Sequence, residues 1–515
     1  MSEILIQGGH VFIDSQLVRA DVRIEGNTIV AVGDLGSVGM REEDVIQARD
    51  HILIPGLINA HTHSHNNLSR GSAENWTLEE LLVNAPALQS GRTVEDHYLS
   101  AAVGAIEMIR TGCTTAFDAF SMFPGPSMEA VEAVVQAYVD VGLRVELAPA
   151  LTDLRFVETI PGIDALLPGD LRSDLMGIPM LQARELIDLA ELAIKRWDGA
   201  AGGRIRIGVA PSIATQCSDE LLIACSSLAK TYDSVVQTHV SETKVQAIEA
   251  HRRWGCTTVD RLEQVGLLGP KLVGGHGVWL TELDITTLDR NESTISHNPA
   301  SNLRLGSGIA PVRELLDHGV NVAIGTDGAI SSDNQNMFEA MRLAGMIGNI
   351  RFPYDPSNWV SAQDVWQMAT LNGAKAAGLA GRLGRIAPGY LADITILDRH
   401  SPFLEPTTSP LAAFVYSETG QSVKTVIIDG RVVLNQGELA TVDELDLRKR
   451  AQKASDRVHE AGKKHLVNSV QLLPYVYKAC SEGLKRPMGM GNPSKASWNH
   501  HEPEFNLISR NGETK

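Results

Sequence analysis

Aromatic residues make up only 5% of this 515-residue chain, and its five cysteines, Cys113, Cys217, Cys225, Cys256 and Cys480, show no paired spacing. An odd number of scattered thiols argues against a disulfide framework or a thiolate zinc knuckle. It predicts reduced cysteines in a cytoplasmic protein. No apolar run approaches the roughly 20 residues that span a bilayer, so no membrane partner is expected. The start, Met1-Ser2-Glu3, lacks the basic, apolar and small-residue stretches of a secretory signal. Basic residues are in deficit: 45 Lys and Arg stand against 62 Asp and Glu, a formal charge of −17. With no basic stripe to meet phosphates, a nucleic-acid partner is not expected. A glycine-rich phosphate loop after the first barrel strand is also missing, which removes the usual dinucleotide reading.

What is present is ordinary globular composition, 43% hydrophobic and 21% charged. The length allows one large α/β barrel with a smaller domain. Residues 1–56 read as short strands, Ile4–Gln7, Ala20–Ile24 and Thr28–Val32, with a hairpin turn at Glu25-Gly26-Asn27. The same texture returns at Ala392–Leu397, Val423–Gly430 and Arg431–Leu434, so the two ends are expected to pair in one sandwich. Between them, apolar strand-like runs alternate with helical periodicity, as at Leu99, Val103 and Ile106 before a helix stop at Gly112. Strands are predicted over 57–61, 114–118, 143–149, 205–210, 235–240, 272–276, 293–297 and 321–327. Eight strands with intervening helices suggest a (β/α)8 TIM-like barrel over 57–385. The small β-sandwich is then built from 1–56 and 386–440, and 441–515 forms a helical extension ending in an irregular tail. The extension reads as a helix over 443–466, followed by an apolar segment Leu466–Cys480. The polar end carries His500 and His501 and is expected to be solvated.

The chemistry-bearing residues stand at the ends of these runs. His61 and His63 close the first, and alternate residues of an extended strand share a face, so both rings can aim at one point. His239 ends the fifth strand, His276 the sixth and Asp327 the eighth, and in such barrels the chemistry sits at the strands' C-terminal ends. Three imidazoles (His61, His63 and His239) and one carboxylate (Asp327) suit a single divalent cation, zinc first and ferrous iron second, with a position left for water. Such a cation lowers the pKa of bound water from about 16 towards 7. Glu242, three residues past His239, is the natural proton shuttle. Asp327 would also accept a hydrogen bond from the attacking water, and His276 would orient that water or polarise the group under attack. Strands 3 and 4 end in Ala148-Pro149-Ala150 and Ala210-Pro211-Ser212, with no lysine to bridge two metals, which favours one.

Each residue has a plainer alternative. His276 lies between two glycines and can be a structural histidine; Glu242 can simply begin a helix; Asp327 in Gly325-Thr326-Asp327-Gly328 can be turn chemistry. Their joint order, each after an apolar strand, speaks for the site. His65 reads as a loop or pocket residue. His297 and Asn298, closing strand 7, and Trp76, in the loop 64–92, are candidate substrate contacts.

These runs resemble the amidohydrolase superfamily, in the branch containing cytosine, guanine and S-adenosylhomocysteine/5′-methylthioadenosine deaminases and the triazine hydrolases. The likeness rests on Pro55–His63, His239-Val240-Ser241-Glu242-Thr243, Gly275-His276-Gly277-Val278-Trp279-Leu280, Ser296–Asn302 and Gly325–Gly328, and it covers residues 1 to 440. It implies a cation held by His61, His63, His239 and Asp327, proton transfer and positioning by Glu242 and His276, and homo-oligomers of two or more subunits. After Arg70-Gly71 the sequence departs from the adenosine-derivative deaminases: Trp76 is displaced from its usual spacing. The leading expectation is a metal-dependent hydrolytic deaminase that releases ammonia from a purine-, pterin- or triazine-like ring. Halide release from a triazine or opening of a cyclic amide is the alternative. A non-catalytic scaffold on the same fold ranks third, because all the expected ligands are present.

Overall fold

The computed structural model describes residues 3–37, 40–177 and 179–485. The expected irregular tail, including His500 and His501, lies outside the described residues. Eight parallel strands form the central barrel: β1 (Leu57–Thr62), β2 (Cys113–Phe120), β3 (Arg144–Leu151), β4 (Ile205–Ile207, continued by Ala210–Pro211), β5 (Val236–Val240), β6 (Leu272–His276), β7 (Thr294–His297) and β8 (Asn321–Ile324). Nearly every residue of these strands is buried, as expected where a sheet is covered on both sides. β1 to β4 make one continuous ladder and β5 to β8 another. Isolated bridges join the halves: Val209 with Val236 and Ile213 with His239 between β4 and β5, and Thr62 with Asp327 between β8 and β1. Ile58, Phe117, Val273 and Ala323, from four different strands, share one buried cluster.

The helices that shape the site are α1 (Leu78–Leu88), α2 (Val94–Arg110), α3 (Met128–Val141), α4 (Lys244–Trp254) and α5 (Glu444–Leu484). α2 illustrates the local logic. Thr93 caps it in a reciprocal box with Asp96. Leu99, Ala102, Ile106 and Ile109 bury one face at helical spacing. Gly112, at φ +80°, then turns the chain into β2.

The sequence pattern suggests two segments beyond residue 440, but α5 is one helix of 41 residues that passes through Pro474. Leu447, Ala451, Ala454, Val458, Leu472, Val476 and Ala479 are all buried, so one apolar stripe runs across the proline. That packing against α1 and α2 outweighs the single hydrogen bond that Pro474 removes. Among the described residues no helix is long and apolar enough to cross a membrane.

Strands from both chain ends join in one nine-stranded sheet. His51–Pro55 pairs antiparallel with Ile394–Asp398 and makes the connection. The hairpin turn of the first end reaches the last strands, for Asn27 Nδ2 donates to Asp429 Oδ1 at 3.2 Å. Ile24, Ile29, Ile394 and Ile427 therefore share a single core. Arg144, at the start of β3, ties this sheet to the barrel by donating to Asp393 Oδ1 at 3.0 Å and Asp429 Oδ1 at 3.1 Å, all three side chains being buried. All five cysteines are free thiols, and Cys113, Cys217 and Cys225 are buried.

Candidate active site

β1 is buried throughout, and its pairing with β2 slips between Asn59 and Thr62, where the strand yields to the turn that carries His63. The rings of His61 and His63 lie 4.7 Å apart, centroid to centroid. His239, on β5, brings its ring within 4.9 Å of His61. His63 Nε2 is 3.1 Å from both His239 Nε2 and Asp327 Oδ1. His61 Nε2 is 3.6 Å from the same carboxylate oxygen. Thus one donor atom from each of His61, His63, His239 and Asp327 lies within 4.8 Å of the others.

Tautomers make the cluster directional. His63 Nδ1 donates to the Ala119 carbonyl at 2.7 Å, and His239 Nδ1 donates to the Ser212 carbonyl at 2.6 Å. Both protons are thereby fixed on Nδ1, and the Nε2 lone pairs face the common point. His61 Nε2 and Asp327 Oδ1 have no hydrogen-bond partner. Lone pairs and a carboxylate turned on one another in a water-poor site repel unless a cation lies between them. Three imidazole nitrogens and one oxygen are the donor set of zinc or iron. Burial and the neighbouring imidazoles hold His61 far below the usual histidine range, and the same causes take His239 down to about 3. Burial alone would raise the Asp327 carboxyl, but the adjoining imidazoles of His63, His276 and His61 hold it well below its ordinary value.

A second group overlaps the first. Glu242 Oε2 and Asp327 Oδ2 lie 3.7 Å and 3.9 Å from His276 Nε2. Glu242 precedes α4 rather than beginning it, since Thr243 is the cap. Burial, with the negative charges of Asp327 and Glu79, pushes its carboxyl well above the ordinary range. Its Oε2 is buried without a partner, as is His276 Nε2. Asn302 Oδ1 accepts from His276 Nδ1 at 2.8 Å and assigns the proton to that nitrogen.

The backbone is strained at these positions. Ser241, His276 and Asp327 adopt φ of +46°, +72° and +64°, which costs non-glycine residues about 1–3 kcal/mol each. Glycine makes room where the rings crowd. A Cβ on Gly275 would stand 3.2 Å from His61 Cε1, and one on Gly325 would stand 2.7 Å from His61 Cβ.

Several supporting residues were not singled out by sequence reasoning. Gln335 Nε2 donates to the Asp327 carbonyl at 2.9 Å, and its Oε1 accepts from Thr62 and Thr326. Asn59 bonds Thr326 through side chain and backbone. Ser331 Oγ donates to Asp327 Oδ2 at 3.1 Å. Asp118, at the end of β2, accepts from Ser64 N and from the Tyr138 hydroxyl and so clamps the turn beyond His63. Glu79 is buried near Glu242 and accepts from Thr243 at 2.8 Å. Their only sequence signal is polarity inside apolar runs.

The candidate substrate contacts divide. His297 and Asn298 lie buried beside the donors, with both His297 nitrogens and Asn298 Nδ2 unpartnered. Burial and the His276 charge lower His297 to about 3. Trp76 is half-buried and packs on a cluster containing Leu305 and Ile330. His65 is buried, its Nδ1 accepting from Ser121 N at 3.1 Å.

A closed parallel barrel with a nitrogen-and-carboxylate donor cluster at the C-terminal ends of its strands defines a class, the metal-dependent barrel hydrolases. The chain belongs to the amidohydrolase family, whose profile matches residues 52–433. It is 37% identical over 453 residues to a 5′-deoxyadenosine deaminase of Methanothermobacter thermautotrophicus, covering 88% of this chain and 98% of that protein. It is 36% identical over 445 residues to a 5-methylthioadenosine/S-adenosylhomocysteine deaminase of Pyrococcus abyssi, covering 86% and 96% of the two chains. Among solved structures, an adenosine deaminase from Xanthomonas campestris with bound zinc superposes with a TM-score of 0.78 at 25% identity, covering 89% of this chain and 98% of that one. A triazine hydrolase from Arthrobacter aurescens gives 0.79 at 25% identity, covering 88% and 100%.

Proposed function

We propose that this enzyme is a hydrolytic deaminase that exchanges the exocyclic amine of an adenosine-type nucleoside for oxygen and releases ammonia. His61, His63, His239 and Asp327 hold one divalent cation in this reading, with zinc favoured because the Xanthomonas campestris adenosine deaminase carries it. Bound there, the cation supplies an acidified water able to attack at neutral pH. The observation that carries the proposal is the convergence of four buried, unpartnered atoms: His61 Nε2, Asp327 Oδ1, Glu242 Oε2 and His276 Nε2.

Glu242 Oε2 takes one proton from the attacking water and delivers it to a ring nitrogen, then takes the water's second proton once its oxygen has bonded to carbon and passes it to the departing amine. His276, its proton fixed on Nδ1, offers the Nε2 lone pair to orient the water. The Asp327 carboxylate, whose Oδ2 stands 3.9 Å from His276 Nε2, shares with that lone pair the acceptance of the water's remaining hydrogen. The buried rim residues His297 and Asn298 hold the heterocycle by their unpaired nitrogens. A cytoplasmic location agrees with five free thiols. Homo-oligomers, expected from the family resemblance, are checked by light scattering.

The test is metal analysis of the purified protein, followed by an ammonia-release screen. The panel is 5′-deoxyadenosine, 5′-methylthioadenosine, S-adenosylhomocysteine and aminated pyrimidines, pterins and triazines. Ammonia from the nucleosides supports the reading. Metal-loaded protein that releases none from any of them overturns it. A second reading, halide release, is favoured by the likeness to triazine hydrolase and is read by chloride from chlorinated triazines.

A further inference from the structure

At the end of the barrel opposite the donor cluster, where β2, β3 and β4 begin beside the nine-stranded sheet, lies a cavity of about 190 Å³. Of its lining, Thr115 and Glu146 are buried, whereas Asn27, Gly202 and Arg382 are exposed, so it runs from solvent into the base of the barrel. Pockets for drug-sized ligands begin at roughly 300 Å³, so this one suits a smaller occupant.

Its polar groups are unevenly paired. Arg144 is engaged with Asp393 and Asp429. Arg206 spends Nε on Asp198 Oδ1 at 3.0 Å. The side chain of Arg382 makes no ion pair or hydrogen bond among the described residues, and neither does the carboxyl of Glu146. Thr115 Oγ1, on the floor, is buried without a partner. Glu146 stands opposite Arg206 in the register of β3 and β4, yet the two side chains do not close on each other. Both therefore keep bonding capacity that the chain itself does not use.

The charge here is opposite to that of the whole. The protein carries −17, but Arg144, Arg204, Arg206 and Arg382 gather around Asp198, Asp393 and Asp429. Arg204 adds a buried Nε without a partner. Burial lifts the Glu146 carboxyl to about 7, aided by the charge of Asp198 and opposed by Arg206, Lys271 and Arg144. Near neutrality it is as often a hydrogen-bond donor as a negative charge.

We propose that this cavity binds a small oxyanion, a phosphate or a short carboxylate, held by the guanidinium groups of Arg206 and Arg382 with Thr115 and Glu146 at its inner end. The planar fork of a guanidinium matches either anion, and the hydroxyl and the protonated carboxyl donate to the oxygens that remain. A cation would meet two incompletely paired arginines on its way to Glu146. Arg382 lies on the connection from the barrel to the strand Ile394–Asp398, so a bound anion ties that connection to β3 and β4. The site is separate from the catalytic rim and owes nothing to the deaminase reading.

The test is calorimetry with thermal midpoints on the cation-loaded, full-length protein, titrated at matched ionic strength with sodium phosphate, sodium succinate or ammonium chloride. The wild type is expected to bind phosphate or succinate, with a midpoint that climbs with concentration, and the tighter of the two identifies the oxyanion. Arg382→Met weakens that binding about ten- to hundredfold and leaves the unliganded midpoint level, since the side chain is exposed and unbonded. An anion captured by the catalytic cation instead binds wild type and Arg382→Met alike. Near pH ~8, Glu146→Gln binds at least as tightly as wild type, because a neutral donor replaces a carboxylate. Failure of both anions to bind, an affinity unchanged in Arg382→Met, weaker binding by Glu146→Gln, or a midpoint raised more by ammonium than by either anion overturns the proposal.

Discussion

The backbone amide of Asp327 donates to the carbonyl of His61 at 2.9 Å, while the carboxylate of Asp327 lies 3.6 Å from the His61 imidazole. The bond that closes the barrel between β8 and β1 is thus made by two of the proposed cation ligands. Donor geometry is set by ring closure, not by loops, and Gln335 and Asn59 brace the same seam from behind.

Glu242→Gln is expected to bind the cation normally and to lose ammonia release by about 10²–10⁴-fold, the usual worth of a positioned proton carrier. Metal analysis beside single-turnover assays checks this. Retained turnover would remove Glu242 from the reaction.

Asn302→Ala takes away the acceptor that fixes the His276 tautomer. We expect kcat to fall roughly 10–100-fold with metal content unchanged, since His276 is outside the ligand set. A parallel loss of metal would place His276 among the ligands instead.

Dialysis against a chelator should abolish activity and lower the thermal midpoint, because a cation bound at a thousand times its Kd stabilises by about 4 kcal/mol. Zinc or ferrous iron added back restores both. A midpoint indifferent to chelation would contradict the donor cluster.

Arg144→Met leaves Asp393 and Asp429 buried without their shared cation. The expected loss is about 3–5 kcal/mol, read as a lower urea midpoint. Because this ion pair joins barrel and sheet at the opposite end of β3 from the catalytic rim, kcat of the folded fraction should hold.

Glu146, buried on β3, has its carboxyl raised by burial, against the opposing charge of Arg206, to about 7 from an ordinary 4.5. The folded state therefore holds the proton more tightly than the unfolded chain. Stability is lost as pH rises from 4.5 through 7 and is level beyond. Glu146→Gln should gain about 3 kcal/mol over wild type near pH ~8 and almost nothing near pH ~4, because each pH step between the two values is worth about 1.4 kcal/mol. Urea midpoints under the two conditions test the sign.

The barrel was legible because its strands are apolar runs punctuated by turn residues, and six of the predicted spans match single observed strands to within two residues at each end. The exceptions are 205–210, interrupted after Ile207, and 321–327, which outruns a strand ending at Ile324 and so leaves Asp327 just beyond it. The donor set could be picked out because histidine and aspartate at strand ends interrupt hydrophobic patterning. Asn302, Gln335 and Ser331 were given no role because a side chain's hydrogen-bond partner, such as that of Asn302 on His276, leaves no periodic trace in the sequence. The unbroken course of α5 was hidden by Pro474, whose local cost is overruled by the long buried stripe on either side.

β1 to β4 and β5 to β8 are separate ladders, and each contributes half of the proposed donors: His61 and His63 from the first, His239 and Asp327 from the second. A cation gripping all four is therefore a rivet between two half-shells that otherwise meet through isolated bridges. Stripping it out will let the shells breathe, and deuterium uptake should quicken first at the seam amides of Gln237, His239 and Asp327.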